Sequence, residues 1–103
     1  DIIRNQSLVE RASHLGRTIL NGLQNQLGHH PKVIEIRGLG LMIGIELDAD
    51  CSQLVKMALD RGLLINVTAG NTLRLLPPLI LTDGETEELI SSISKLVVDY
   101  TSQ

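Results

Sequence analysis

Aromatic residues are almost missing from this chain of 103 residues, because Tyr100 stands alone and there is no Phe or Trp. The core must therefore be built from Leu, Ile and Val, and recognition of bases or sugars by aromatic stacking is almost excluded. Cysteine is represented only by Cys51, which cannot form an internal disulfide. A single cysteine fits a reducing compartment, so the sequence predicts a cytoplasmic protein.

Clusters of basic residues and long apolar runs are missing as well. A net charge of −3 without a Lys/Arg cluster argues against nucleic acid as a partner. No apolar run approaches the roughly 18–20 residues of a membrane span, and the N-terminus lacks a signal-peptide pattern. With 43% hydrophobic and 20% charged residues, the sequence predicts one soluble globular domain over residues 1–103, with no nucleic-acid or membrane partner.

Apolar periodicity and cap signals predict three helices and four strands in the order αββαββα. Ser7 with Glu10 and Thr82 with Glu85 have capping-box spacing, and Asp50 with Gln53 has cap spacing for the middle helix. The predicted strands cover residues 33–37, 41–47, 63–67 and 72–76. They form two hairpins, and the first helix ends at Gly28 while the second ends at Gly62.

Alternation along the strands sorts the sheet into two faces. One predicted face is wholly apolar: Ile34, Ile36, Leu41, Ile43, Ile45, Leu47, Leu63, Ile65, Val67, Leu73 and Leu75. The other is mixed: Val33, Glu35, Arg37, Met42, Gly44, Glu46, Leu64, Asn66, Thr72, Arg74 and Leu76. The fold class is therefore α+β, a two-layer α/β sandwich with a four-stranded, mostly antiparallel or mixed sheet and the helices on one face. We predict the strand order 1-2-4-3 and expect the mixed face to dock against another surface.

Arg74 is the only charged residue between positions 63 and 81, and its neighbours Leu73, Leu75 and Leu76 are apolar. Burying a guanidinium there costs several kcal/mol unless an anion meets it. The anion is either an internal carboxylate, for which Glu46 is the candidate, or a bound carboxylate or phosphate, which the planar fork of arginine matches with two hydrogen bonds.

Two segments carry a resemblance to a known family. VIEIRGLGLMIGIELD at 33–48 and DRGLLINVTAGNTLRLLPPLILTDGETEELI at 60–90 resemble the C-terminal small domain of the class III pyridoxal-phosphate aminotransferases. The VTAGN loop is most similar to the acetylornithine branch. Ornithine and ω-amino-acid aminotransferases share the RG and PPL elements, so the same domain from one of those enzymes is an alternative.

The resemblance implies that a longer parent uses pyridoxal phosphate to move an amino group between N-acetylornithine and 2-oxoglutarate in arginine biosynthesis. The position of Arg74 implies contact with the α-carboxylate of an amino-acid or keto-acid substrate. The Schiff-base lysine and the cofactor contacts of the family belong to a large domain upstream of Asp1, so we expect no catalytic and no cofactor-binding residue here, and no activity from this fragment alone. Expected partners are the small-molecule substrate, the large domain and, in the parent, a second subunit of a homodimer.

Three other features have simpler interpretations. The pair His29 and His30 has no third ligand at a spacing suitable for a metal. The pattern predicts a solvated turn, so no metal site is predicted. Cys51, expected in the first turn of a helix, is either an activated thiol or a small buried hydrophobe. A free-standing sandwich that binds amino acids as a regulatory module, with Arg74 as its carboxylate anchor, is the alternative from a different functional class.

Overall fold

The computed structural model describes residues 2–39, 42–63, 65–77 and 81–102, with side chains from residue 9 onward except residue 39. Three helices and four strands follow one another as α1 (Ile2–Leu27), β1 (Val33–Leu39), β2 (Met42–Leu47), α2 (Leu54–Asp60), β3 (Asn66–Thr68), β4 (Thr72–Leu75) and α3 (Asp83–Thr101). The predicted element order αββαββα is confirmed, and the chain is an α+β protein.

The sheet has the order β1-β2-β4-β3, and each neighbouring pair is antiparallel. This is the predicted order. β4 lies between β2 and β3 because α2 carries the chain across the sheet before β3, and the second hairpin then folds β4 back into the gap.

A bulge at the start of β1 exchanges two predicted side chains between the faces. Val33 pairs with Leu47 and Glu35 pairs with Glu46, so Ile34 is the extra residue in the ladder. Val33 consequently packs against the core, whereas Ile34 is 58% exposed. Simple alternation predicted the reverse for both residues.

The core lies between the helices and the predicted apolar face, and it is aliphatic throughout. Buried residues of the three helices, together with Cys51 in the connection before α2, pack on buried residues of β1, β2 and β4: Leu15, Ile19, Leu23, Leu27, Ile36, Ile43, Ile45, Leu47, Cys51, Leu54, Ala58, Leu73, Leu75, Ile90, Ile93, Leu96 and Val97. Tyr100 packs only at the margin. Of the remaining positions predicted for this face, Leu63, Ile65 and Val67 are partly buried against the core, while Leu41 lies outside the described residues, as does Leu64 of the mixed face.

Helix starts agree with the predicted caps in one case out of three. At α3, Thr82 accepts from the Glu85 backbone N–H at 3.1 Å, and Glu85 accepts from the Thr82 N–H at 3.0 Å. In contrast, α1 already begins at Ile2, because no Gly or Pro interrupts the residues before Ser7.

The start of α2 also differs from the prediction. Its N-cap, Gln53, makes no side-chain cap bond, and Asp50 instead accepts from the Ser52 hydroxyl at 2.8 Å. On this short helix Leu54 and Ala58 are buried, while Val55 and Leu59 are exposed.

β3 is shorter than predicted because Leu63, predicted as its first residue, instead forms a hydrogen bond at the end of α2. Gly62 has a positive φ of 78°, and the Leu63 N–H donates to the Ala58 carbonyl at 2.8 Å. β4 ends at Leu75, before the buried Pro77. Leu81, beyond it, packs against the core and its carbonyl accepts from the Arg11 guanidinium, so this residue belongs to a packed connection. Pro78, Leu79 and Ile80 lie outside the described residues.

Candidate functional site

The sheet face that carries no helices, called the open face below, holds the charged strand residues. Its described members are Glu35, Arg37, Met42, Gly44, Glu46, Asn66, Thr72, Arg74 and the adjoining Leu76. Met42 is 38% exposed and Leu76 is 68% exposed. Arg74 therefore points away from the helix layer, as predicted.

One row of residues crosses all four strands of the open face. Arg37 pairs with Gly44, Gly44 pairs with Arg74, and Arg74 pairs with Asn66. Antiparallel register thus sets two guanidinium-bearing residues on either side of a glycine. A Cβ built on Gly44 would make only ordinary van der Waals contacts, the nearest with Arg37 Cγ at 3.8 Å, so there is room for a methyl group between the two arginines.

The neighbouring row is acidic and is held by Arg37. Glu35 lies directly opposite Glu46, an arrangement of like charges that is unfavourable by itself. Arg37 Nη1 donates to Glu35 Oε2 at 2.9 Å and to Glu46 Oε1 at 3.0 Å. The hydrogen bond to Glu46, followed by the charges of both carboxylates, raises the pKa of Arg37 above its ordinary value. One guanidinium thus neutralises two carboxylates that face each other.

Arg74 has a different environment. Its Nη2 donates to the Met42 sulfur at 2.7 Å, and a thioether is a weak acceptor. Among the described residues, the ion pairs of the open face join Arg37 to Glu35 and Glu46, and Arg74 has no carboxylate partner. The internal pair with Glu46, considered from the sequence, is not the arrangement found.

Two shallow hollows meet at Arg74. One, of about 340 Å³, is lined by Arg37, Gly38, Met42, Ile43, Gly44, Thr68, Thr72 and Arg74. The other, of about 370 Å³, is lined by Met42, Ile65, Asn66, Arg74, Leu75 and Leu76. A half-buried guanidinium beside a weak acceptor and between two open hollows is suited to receive a carboxylate through two parallel hydrogen bonds.

The turn between β3 and β4 fixes Arg74 along the sheet. Ala69 and Gly70 have positive φ angles of 57° and 79°, which reverse the chain in a tight space. Asn71 then bonds twice to the end of β2: Leu47 N–H donates to its carbonyl at 2.9 Å, and its own Nδ2 donates to the Leu47 carbonyl at 3.2 Å. This pair of bonds gives the AGN motif a structural role that sequence analysis did not assign to Asn71.

All three lysines of the chain are exposed. The Lys32 ammonium donates to the Thr101 carbonyl at 2.7 Å, and Lys56 and Lys95 lie on helix surfaces. A lysine that forms a Schiff base is usually desolvated or activated by a neighbouring charge. None of these side chains has such surroundings, so the lysines present do not fit the attachment of pyridoxal phosphate.

Cys51 and the histidine pair show no sign of reactive chemistry. Burial, and secondarily the charge of Asp50, raises the pKa of the Cys51 thiol, which is the opposite of activation. Cys51 also precedes α2 by three residues and packs in the core, so the expectation of a position in the first helical turn was wrong. His30 Nδ1 accepts from the Lys32 backbone at 3.1 Å, within the turn that was predicted.

A metal centre and a membrane span would each indicate another class of protein. The described part of the chain brings together no group of three or more His, Cys, Asp or Glu side chains that could hold a metal. Among the described residues there is also no helix of sufficient length and hydropathy to cross a membrane.

Comparison with known proteins identifies the family. The sequence model of the class-III aminotransferases matches residues 1–97. Acetylornithine aminotransferase 1 of Bordetella pertussis is 41% identical over 103 residues, which cover 100% of this chain and 26% of that protein. Ornithine aminotransferase 1 of Staphylococcus aureus is 39% identical over 92 residues, which cover 89% of this chain and 23% of that protein.

A solved structure agrees with both sequence comparisons. Ornithine aminotransferase from Toxoplasma gondii, with PLP at partial occupancy in its active site, superimposes with a TM-score of 0.80 at 31% identity, covering 92% of this chain and 24% of the other. The chain thus spans about a quarter of the length of the relatives it matches. A match across nearly the whole chain to one family model, together with 41% identity to a member over all 103 residues, shows that this chain belongs to the class III aminotransferases.

Proposed function

We propose that this chain is the C-terminal small domain of a pyridoxal-phosphate-dependent acetylornithine aminotransferase, in which it supplies the arginine that binds the substrate carboxylate and helps to close the active site. The proposal is supported above all by the environment of Arg74. This residue stands in the RLLPPL motif, lies between two open hollows, and has no carboxylate partner among the described residues.

The reaction would be transfer of an amino group between N-acetylornithine and 2-oxoglutarate, a step of arginine biosynthesis. Pyridoxal phosphate, when bound in the whole enzyme, would supply the electron sink for this chemistry. The residues described here would bind and orient the substrate. 2-Oxoglutarate has a carboxylate directly on its reacting carbon, whereas N-acetylornithine reacts through its δ-amino group, away from its carboxylate. Arg74 would therefore act mainly in the half-reaction of 2-oxoglutarate.

The choice of amino donor is the finer part of the proposal. The VTAGN loop favours the acetylornithine branch. The sequence identities do not separate the branches, since acetylornithine enzymes range from 33% to 41% and an ornithine enzyme reaches 39%. Ornithine as donor is the nearest alternative, and steady-state turnover of ornithine and N-acetylornithine by the full-length enzyme separates the two. A free-standing amino-acid-binding module has no supporting observation once the family is known.

The open face would receive the large domain of the same enzyme. Its exposed Met42 and Leu76 adjoin the arginine, and about three quarters of the length of the relatives lies outside the matched region. Apolar surface next to a binding residue is usual where two domains enclose a ligand. We further propose a cytoplasmic homodimer for the parent.

The test is a pair of substitutions in a full-length class III aminotransferase that contains this chain. Arg74→Ala removes one partner of a desolvated charge pair, which typically costs about 2–5 kcal/mol, or roughly 30- to several-thousand-fold in kcat/KM. Arg74→Lys should recover only part of this loss, since an ammonium cannot form the two-pronged contact.

Single-turnover absorbance measurements of both half-reactions give the result. Attachment of the cofactor should survive in both variants, which provides the internal control for folding. If Arg74→Ala leaves the rate of the 2-oxoglutarate half-reaction within about threefold of wild type, less than about 1 kcal/mol, the carboxylate-binding role is wrong.

A further inference from the structure

Glu46 has two arginines at equal spacing in the sheet register. It lies on β2 directly opposite Glu35 of β1 and Thr72 of β4. Arg37 and Arg74 are therefore its diagonal neighbours, each two residues beyond the opposite position. Diagonal neighbours lie about 7–8 Å apart, within reach of long side chains.

Only one of these two arginines holds Glu46. Arg37 bonds to its carboxylate at 3.0 Å and to Glu35 at 2.9 Å, so one guanidinium satisfies both acids. Arg74 leans in the opposite direction along the sheet, toward Met42, whose sulfur it contacts. Met42 and Glu46 stand on opposite sides of Gly44 in β2, which separates the guanidinium of Arg74 from the acidic pair.

We propose that Arg37 is a positioning residue: by holding Glu46, it keeps that internal carboxylate away from Arg74 and so leaves Arg74 available for the carboxylate of the substrate. This inference rests on the proposed function of Arg74. Without Arg37, two carboxylates that face each other would have Arg74 as their nearest open-face cation among the described residues. An internal carboxylate on Arg74 competes directly with a bound one.

The open face offers a complete test by a double-mutant cycle in the full-length enzyme. Arg37→Gln should raise KM for 2-oxoglutarate by about fivefold, the effect of one exposed ion pair, while kcat at saturation stays near wild type. Arg37→Gln combined with Glu46→Gln should return KM to the wild-type value, because the competing charge is gone. Glu46→Gln alone should not raise KM.

Two further variants sharpen the result. Asn66→Asp adds a carboxylate directly opposite Arg74 while Arg37 stays in place, so it should raise KM in the same way and gives an independent test should Arg37→Gln fold poorly. Arg61→Gln is the matched control, because it breaks the ion pair of 2.9 Å with Asp99, away from the open face. It should leave KM unchanged.

Each outcome decides between distinct roles. An increase in KM for Arg37→Gln that Glu46→Gln does not reverse would mean that Arg37 contacts the substrate or supports the fold, and would overturn the positioning role. No increase for Arg37→Gln, or for Asn66→Asp, would also overturn it. Arg74→Ala, measured in parallel, separates failure of this inference from failure of the proposed function. If Arg74→Ala causes a large loss of kcat/KM but Glu46→Gln does not rescue Arg37→Gln, only the positioning role of Arg37 is wrong.

Discussion

The two faces of this sheet are made by alternate residues of the same strands, yet they use opposite chemistry. On the helix-covered face, Ile43, Ile45 and Leu73 are fully buried and contribute through apolar area and close packing. On the open face, Glu46 and Arg74 keep contact with solvent and interact through charge. The fold is stabilised by the helix-covered face and the proposed binding belongs to the open face, so substitutions one position apart in a strand should have separable effects.

The largest difference between the two faces is expected for two neighbouring residues of β4. Leu73→Ala should lower the free energy of unfolding by about 2–5 kcal/mol, because it removes a fully buried side chain and leaves a cavity. Arg74→Ala, one residue further and without an ion-pair partner among the described residues, should change it by about 0.5 kcal/mol or less. Urea unfolding of the 103-residue chain measures both. Equal losses would show that the open face also carries the fold.

A second test compares two glycines. Gly70 has a φ of 79°, and a Cβ there would approach Asp50 Oδ1 at 3.1 Å, so Gly70→Ala should cost about 1–2 kcal/mol in the free energy of unfolding. Gly44→Ala on the open face meets ordinary contacts of 3.8 Å and more, and should be nearly neutral for stability. Thermal unfolding of both variants provides the measurement, and a destabilised Gly44→Ala would mean that the open face is packed more tightly than its hollows indicate.

The smallest effect is expected at the start of α3, in the helix layer itself. Hydrogen bonds from Thr82 lower the pKa of Glu85, so its charged form adds stability above the unfolded pKa of about 4.3, and this contribution is lost as pH falls through the lower folded value. Glu85→Gln keeps an acceptor for the Thr82 N–H but does not titrate. Its urea midpoint should therefore fall less than that of wild type between about pH 5 and 3. Identical pH profiles would exclude a contribution from Glu85.

Local signals in the sequence were sufficient for most of the fold. Thr82 and Glu85 marked the start of α3 because a capping box depends on four residues only, and the strand order followed from the connection through α2. The exchange of Val33 and Ile34 could not be foreseen, since a bulge is a property of two paired strands and the sequence of β1 alone shows unbroken alternation. The predicted helix start at Ser7 was wrong because the helix continues on the N-terminal side of Ser7, despite the local capping signal.

The sequence predicted that Arg74 lies on the open face, but it did not predict how the charges of that face pair. Arg74 stood out as the one charge in an apolar segment. Whether Arg74 pairs with Glu46 depends on which of two diagonal neighbours, Arg37 or Arg74, binds the Glu46 carboxylate. The two arginines are placed symmetrically about Glu46 only because β2 lies between β1 and β4. Partner choice among charges of similar spacing is decided by three-dimensional geometry and by the need to satisfy Glu35 as well.

The two hydrogen bonds between Asn71 and Leu47 fix the register of β4 relative to β2. A slip of β4 by one residue would turn Arg74 into the aliphatic core, which burial of a charge forbids. A slip by two residues would keep the correct face and leave the hydrophobic pattern almost unchanged, but it would carry the guanidinium about 6.8 Å along the strand, away from Gly44. Hydrophobic patterning alone disfavours a slip by one residue far more than a slip by two. The side-chain amide of Asn71 favours the native register over a slip by two residues, so it fixes the position of Arg74 along the sheet.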